Sequence, residues 1–402
     1  MPLQKSKQVL ITTLPPQIIG GVAIKTRILA DYLRSRGHKV TIAHYATFTH
    51  GSNLNVSLKN FAKKWKPTVS RYKAFGDHDC IAIGCLFPEL EATYTQSSKR
   101  WHQIIRENDR HIAVSGTIVP ATPFVKLGLP HLIWCASDVI GDRIDRRSSM
   151  GFLRKLYDNY IVTPLLCKQE KAILKGTGYI CGVSPFTIKS LTNQTSSDSE
   201  RFSEMPIPVD TSKFFPESGF KRGRIGFVGR LNDPRKNINL LFDVAEILKF
   251  NETNFELYLA GIGGEYFKEQ VQIRGLENNI KFVGQLSEKK LLDFYQSLDL
   301  FVIPSHQEGL AIVGLEAMAT GLPIVSTRCG GPEAYVRDQK NGFLVDPDEK
   351  EMATAIKTIL INRETRDRMS QKSLEIVQTE YSHNAFSKIL QNKWREIWNE
   401  EI

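Results

Sequence analysis

Short apolar runs separated by helix-length amphipathic stretches recur along almost the whole chain, and this alternation limits the available folds more than any other feature. Gln8 to Thr13 is an apolar strand, Val22 to Arg36 has helical periodicity, and Lys39 to Tyr45 is a second strand after Gly37. The rhythm returns at Cys80 to Gly84, His111 to Ser115, His131 to Ala136 and Tyr179 to Val183. Strands of this kind, joined through helices, form a mostly parallel sheet covered on both faces. The polar, proline-bearing stretch Met205 to Gly219 reads as a linker, after which a second series begins. Its strands are Arg224 to Val228, Phe255 to Ala260, Ile280 to Val283, Leu298 to Ile303, Pro323 to Ser326 and Gly342 to Val345. The expected fold class is α/β, with two Rossmann-like, doubly wound domains facing each other across a deep cleft. Ligands in such sheets bind at the carboxyl ends of the strands. The expected divisions are residues 1–207, residues 208–380, and a last segment, 381–402. That segment is an amphipathic helix with Phe386, Ile389, Leu390, Trp394, Ile397 and Trp398 near one face.

A chain of 402 residues with 41% hydrophobic content can bury more than one core, which excludes a disordered protein. No apolar stretch approaches the roughly 18 residues of a membrane span, and Met1 to Lys7 leads straight into a strand. A cytoplasmic chain is therefore expected. Six scattered cysteines without paired metal spacing read as reduced core residues.

The formal charge of +10 points to an anionic partner, which is a nucleotide diphosphate, an acidic membrane surface or nucleic acid. Nucleic acid is not the expected partner, because the basic residues are dispersed and no recognition motif is present. The segment Lys59 to Lys73 holds six basic residues, three aromatics and no acid, a composition that suits either a membrane-surface element or a solvated face. Thr192 to Ser199 reads as a polar surface loop.

Glu308 and Glu316 stand with seven residues between them around a predicted helix start. The apolar run Asp299 to Pro304 reads as a buried strand, Glu308-Gly309 as its turn, and Leu310 to Thr320 as a helix. At about 1.5 Å rise per residue the two carboxylates can lie on the order of 10 Å apart, with helix amides between them. A nucleotide-sugar diphosphate has that layout: the diphosphate on the helix N-terminus, one carboxylate toward sugar hydroxyls and the other toward the ribose. Two solvated glutamates are the plain alternative.

Two glycine- or cation-bearing loops add to this. Gly20-Gly21 follows the first strand and opens the first helix, where close backbone approach to an anion is possible, although the full dinucleotide spacing is absent. Val228-Gly229-Arg230-Leu231, running to Lys236, leaves a strand with three cations, Arg230, Arg235 and Lys236. Fixed cations at such a strand end stabilise a departing diphosphate, and Arg230 and Lys236 are the candidates.

These runs, with Ser305 to Gly321, Gly321 to Thr327 and Gly330-Gly331-Pro332-Glu333, resemble retaining glycosyltransferase family four, the glycosyl transferases group 1. The resemblance implies the GT-B fold, an acceptor-binding first domain, a nucleotide-sugar-binding second domain, and a last helix that returns to the first. By motif it places Glu308 at the donor hexose and Glu316 at the ribose. It places Arg230 and Lys236 at the diphosphate, with Gly20 and Gly21 over the phosphates. Val283, Gly284 and Gln285 would form the base-binding loop, and Gly309 with the amides of Leu310 and Ala311 the phosphate cradle. The chain departs from the pattern at Gly128-Leu129-Pro130 onward, where Ala136 or Ser137 stands in place of a histidine. Ser137 and Asp138 are acceptor-side candidates there, or strand-end caps.

The resulting expectation is an enzyme, a retaining hexosyltransferase. It transfers glucose or another hexose from a UDP-sugar to a hydroxyl of a glycan or lipid-linked glycan in surface polysaccharide assembly, peripheral on an anionic membrane. No cofactor is expected. Asp77-His78-Asp79 and Asp346-Pro347-Asp348 have a metal-binding look, but they lie far in sequence from the cation loop, and no required metal is expected. A nucleotide-sugar epimerase or hydrolase, and a non-catalytic nucleotide-sugar-binding protein, are the alternatives.

Overall fold

The structure, a computed structural model, describes residues 6–18, 20–96, 98–148, 150–195, 199–217 and 223–402; for residues 144–146 and 148 it describes the backbone alone. Part of the opening segment, part of the polar loop (196–198) and the end of the proposed linker (218 and 219) therefore lie outside the described residues. The chain forms two compact units, Met1–Met205 with Ile389–Ile402, and Pro206–Lys388.

The first unit carries an eight-stranded sheet. Its strands are Gln8–Thr13 (β1), Lys39–Tyr45 (β2), Val69–Ala74 (β3), His78–Ile83 (β4), Arg110–Val114 (β5), Leu132–Cys135 (β6), Tyr179–Gly182 (β7) and Phe202–Glu204 (β8). They lie in the order β3-β4-β2-β1-β5-β6-β7-β8, and every pairing is parallel except β3 with β4. Val9, Leu10 and Ile11 of β1 are fully buried, as a central strand covered on both faces must be. Leu10, Ala43, Ile81, Ala113, Ile133 and Ile180 form one core with Trp101, Ile105, Phe124 and Leu191 from the covering helices. Local chemistry sets the helix starts. The Ser98 side chain caps Lys99–Arg106, and the Ser184 side chain caps Pro185–Thr192, whose first residue is a proline.

The second unit carries six strands: Arg224–Val228 (β9), Glu256–Ala260 (β10), Ile280–Gly284 (β11), Leu300–Ile303 (β12), Ile324–Thr327 (β13) and Gly342–Val345 (β14). Their order is β11-β10-β9-β12-β13-β14 and all pairs are parallel. Strand order reverses between β9 and β12, the switch point at which loops diverge and leave a crevice at the strands' carboxyl ends. Phe227, Leu259, Val302 and Val325 pack there with Leu241, Val244, Met352 and Ile356 of helices Ile238–Phe250 and Glu349–Ile361.

Two stretches are more structured than the sequence showed, and one helix starts later than expected. In Lys59 to Lys73, turns run over residues 58–63, and Val69–Ala74 is the antiparallel edge strand β3. The linker expected at Met205 to Gly219 begins where the two units divide, between Met205 and Pro206, and its described residues are packed: Met205, Ile207, Val209 and Phe214 are buried and the Val209 amide donates to the Tyr381 carbonyl at 2.8 Å. The helix expected from Leu310 begins two residues later, at Ile312.

The final helix, His383–Trp398, buries Phe386, Leu390 and Trp394. Within the first unit Trp394 stacks on His38 at 5.3 Å, Gln391 donates to the Tyr32 hydroxyl at 3.0 Å, and Glu400 accepts from Arg110 at 2.7 Å. All six cysteines are free thiols. Among the described residues no helix is long and apolar enough to cross a membrane.

Candidate active site

The two glutamates follow β12, at the switch point of the second unit. Glu308 is tied by its backbone: its amide donates to the Cys329 carbonyl at 2.7 Å, and its carbonyl accepts from Gly331 at 2.8 Å. The loops after β12 and β13 are thereby clamped together. The clamp needs a glycine, because a Cβ on Gly331 would lie 2.5 Å from the Leu310 Cα. A third tie reaches the loop after β9, where the His306 amide donates to the Arg235 carbonyl at 2.8 Å.

With its backbone fixed, the Glu308 carboxylate receives two donors on one oxygen. Lys236 Nζ lies 2.5 Å from Oε1 and the Ser305 hydroxyl 2.7 Å from it. The side chains of Lys236 and Glu308 are only 17% and 13% exposed, so water screens this pair far less than a surface ion pair. The unused Oε2 and the remaining ammonium protons are the groups that a polyhydroxylated, anionic ligand would meet.

The helix Ile312–Ala319 starts from Ala311, which sits in the left-handed region at φ 58 and ψ 67. For an alanine this conformation costs roughly 1–2 kcal/mol. Tertiary contacts hold it there: the Tyr335 hydroxyl donates to the Ala311 carbonyl at 2.9 Å. That hydroxyl passes over Gly314, where a Cβ would lie 2.3 Å from it. The first helical amides are those of Ile312 and Val313, directly after Gly309, Leu310 and Ala311 of the expected phosphate cradle.

Glu316 lies one turn into this helix, half-buried, and its Oε2 accepts from the buried Tyr295 hydroxyl at 2.9 Å. Burial pushes its carboxyl up to about 7, opposed by the Tyr295 hydrogen bond and by Lys213, while Glu288 adds to the rise. Tyr295 packs edge-on against Phe214 and Phe301 and presents a fixed donor.

The cations separate. Lys236 joins Glu308, but Arg230 pairs at 2.8 Å with Asp233, which also holds Arg235 at 2.8 Å. The Asp233 carboxyl stays below the usual range: burial raises it, but hydrogen bonds and charge from Arg235 and charge from Arg230 outweigh this. Arg230 is 60% exposed. Val283, Gly284 and Gln285 are exposed at the end of β11, and the Gly284 carbonyl accepts from Gly261 at 2.8 Å. Gly309 lies in the clamped loop between Glu308 and Leu310.

In the first unit Gly20 caps the helix Gly21–Ser35 at φ 149, a conformation open to glycine. One turn on, Lys25 is completely buried and donates to the carbonyls of Ser115 and Trp134 at 2.9 and 3.2 Å; burial lowers its ammonium to about 7. Asp138 is a cap: its Oδ1 accepts from the Gly141 amide and its Oδ2 from Gln194, each at 2.9 Å. Ser137 donates to the adjacent Asp138 carbonyl at 3.1 Å. Next to them Glu170, fully buried, accepts from the Val139 amide at 3.0 Å, and burial pushes its carboxyl up to about 8.

Of the acidic pairs with a metal-binding look, His78 bonds Asp31 at 2.8 Å and Asp79 pairs with Lys73 at 3.0 Å. Asp348 caps the helix Glu349–Ile361, and Asp346 pairs with Arg328 at 3.5 Å. Among the described residues no group of three His, Cys, Asp or Glu side chains gathers to hold an ion.

Residues 210–375 match the family model of glycosyl transferases group 1. A mannosylfructose-phosphate synthase of Agrobacterium fabrum is 28% identical over 205 residues, 46% of this chain and 45% of the relative. A sulfoquinovosyl transferase of Arabidopsis thaliana is 34% identical over 185 residues, 45% of this chain and 34% of the relative. The chain thus spans about half or less of these curated relatives' length. Solved structures match over nearly the whole chain. A sucrose-phosphate synthase from Thermosynechococcus elongatus gives a TM-score of 0.70 at 18% identity, covering 98% of this chain and 99% of that one. Anabaena HepE in complex with UDP gives 0.71 at 14% identity, covering 97% and 100%. Residues 210–375 thus carry the match to glycosyl transferases group 1, and over both units the fold is like that of these solved GT-B glycosyltransferases.

Proposed function

We propose that this protein is a retaining glycosyltransferase that moves a hexose, glucose in our reading, from a UDP-sugar to a hydroxyl of a glycan or lipid-linked glycan in surface polysaccharide assembly. The observation that carries the reading is the Glu308 carboxylate, fixed by Lys236 and Ser305 beside the helix start that leads to Glu316. Glu308 orients the hexose hydroxyls through its free oxygen, and Glu316 accepts from the ribose. Lys236, Arg230 and the amides of Ile312 and Val313 stabilise charge on the leaving diphosphate. The anomeric carbon–oxygen bond to the phosphate breaks and a bond to the acceptor oxygen forms on the same face. The acceptor proton passes to the departing phosphate oxygen. Retention comes from the family resemblance.

Support for the donor is the UDP complex of Anabaena HepE, a protein of like fold. The first unit selects the acceptor, with Ser137 and Asp138 near the ends of its strands. The protein works at the cytoplasmic face of an anionic membrane, and Lys63, Lys64 and Lys66 are one basic contact. Because fixed cations do the electrostatic work, transfer needs no divalent metal. The test is nucleotide release across a panel of donors, with mass analysis of the product formed on cell-derived glycolipids. A new glycoside supports the proposal; release of free sugar alone, or tight donor binding without turnover, overturns it.

A further inference from the structure

The helical run after the first unit's sixth strand has an unusual surface. Helix Phe152–Tyr157, a π-helical turn Asp158–Val162 and helix Thr163–Leu174 follow one another without a break. Phe152, Leu153 and Tyr160 are 74%, 79% and 76% exposed, and Leu156, Ile161 and Leu165 are exposed beside them. Soluble chains seldom leave so many large apolar side chains together in water.

The polar residues sort by sign. The acids of residues 151–178 are Asp158 and Glu170, and both are fully buried. Asp158 is held by Arg143 and by Arg147 at 2.9 Å, and Glu170 by the Val139 amide at 3.0 Å. Glu91, which reaches this region from another segment, is itself paired with Arg143 and with Arg154 at 3.3 Å. The exposed charges are all basic: Arg154, which lies among the apolar residues, and Lys168, Lys171 and Lys175. The three lysines continue the line of Ile161, Pro164 and Leu165 at helical spacing, so one face runs from apolar to basic. Beside it an apolar groove of about 390 Å³ is lined by Leu90, Ala92, Val125, Leu165, Ala172 and Ile173.

We infer that this face, residues 152–175, is the surface that seats the protein on an anionic lipid bilayer, the apolar side chains entering the acyl boundary and the lysines meeting the headgroups. An apolar row with a basic end and no exposed acid is the complement of such an interface, and a protein partner would not require every acid to be withdrawn. The buried Arg143–Asp158 pair holds the run in place, so docking orients the first unit rather than ordering a loose segment. The inference rests on the membrane part of the proposal above, and it names this face in place of Lys63, Lys64 and Lys66 as the principal contact.

Flotation with phosphatidylcholine vesicles, with and without phosphatidylglycerol, tests it on three proteins besides wild type. One carries Phe152→Ser, Leu153→Ser and Tyr160→Ser; the second Lys168→Glu, Lys171→Glu and Lys175→Glu; the third Lys63→Ser, Lys64→Ser and Lys66→Ser. Wild type should bind only the anionic vesicles, and each of the first two variants should bind them roughly a hundredfold more weakly. UDP binding, measured by calorimetry on the same samples, should be unchanged, which shows that the fold and the donor site are intact. Unchanged vesicle binding by the first two variants overturns the inference, and if the third variant alone loses binding, the membrane reading survives with the contact elsewhere. Failure of wild type to bind any vesicle overturns both. A wild-type dimer that the first variant converts to a monomer, without vesicle binding, makes the face an interface between copies and overturns the inference as well.

Discussion

The Lys236 ammonium lies 2.5 Å from the Glu308 carboxylate, though the two residues come from loops after different strands, β9 and β12. This pair joins the cation expected at the leaving group to the carboxylate expected at the sugar. Lys236→Ala removes the positive charge and leaves Glu308 with Ser305 as its remaining side-chain donor. Sugar transfer should fall by about 10²–10³ in kcat, the scale for losing one fixed electrostatic stabiliser. Steady-state nucleotide release checks this, and Lys236→Arg should recover part of the loss.

Glu316 should make nucleotide binding pH-dependent. Its carboxyl, raised to about 7 by burial, accepts more strongly from ribose hydroxyls when it is ionised. UDP affinity should therefore rise through about pH 7, and Glu316→Gln should bind more weakly and flatten the profile. Calorimetric titration at several pH values measures both.

Glu170 should affect stability with the opposite slope. Its folded carboxyl, near 8, lies above the value of an unfolded glutamate, so the folded chain binds the extra proton between about pH 4.5 and 8. Stability from this group is full below that window and is lost as pH rises through it, by on the order of a few kcal/mol. Denaturant melts should show the decline, and Glu170→Gln should reduce it.

Gly314→Ala should be destabilising because its Cβ would lie 2.3 Å from the Tyr335 hydroxyl. Tyr335→Phe removes the clashing oxygen, so the double variant should be more stable than Gly314→Ala alone, while its transfer rate stays low because Ala311 has lost its hydrogen bond. Melting curves and turnover on the same three proteins separate the two effects.

Trp394→Ala should destabilise the first unit by about 3–5 kcal/mol, the usual cost of emptying a fully buried aromatic site. Trp394 is fully buried and stacks on His38. Urea unfolding followed by fluorescence measures the loss.

The sheets were readable in the sequence because their strands are short and buried on both faces, as in the run Leu300 to Ile303. Strand β3 was not, because Val69–Ala74 alternates half-buried and exposed positions and its charges resemble a solvated loop. The carboxylates and cations of the candidate site were legible as chemistry-bearing residues at strand ends. Their partners were not: Tyr295 and Tyr335 reach Glu316 and Ala311 only through tertiary packing, from 21 and 24 residues away. The helix start moved to Ile312 because the left-handed Ala311 carries no sequence mark, being neither glycine nor asparagine. Asp138 reads as a strand-end cap or an acceptor contact in sequence, and its bonds to Gly141 and Gln194 supply the capping part.

The central claim is that Glu308 and Lys236 form one sugar–diphosphate site. The most direct measurement is acceptor-dependent UDP release from UDP-glucose by wild type, Glu308→Gln, Lys236→Ala and the double variant. The account predicts that each single change slows release by at least about tenfold and that the double variant is slowed by less than the product of the two, as expected for residues acting as a unit. Undiminished turnover in both single variants would contradict it.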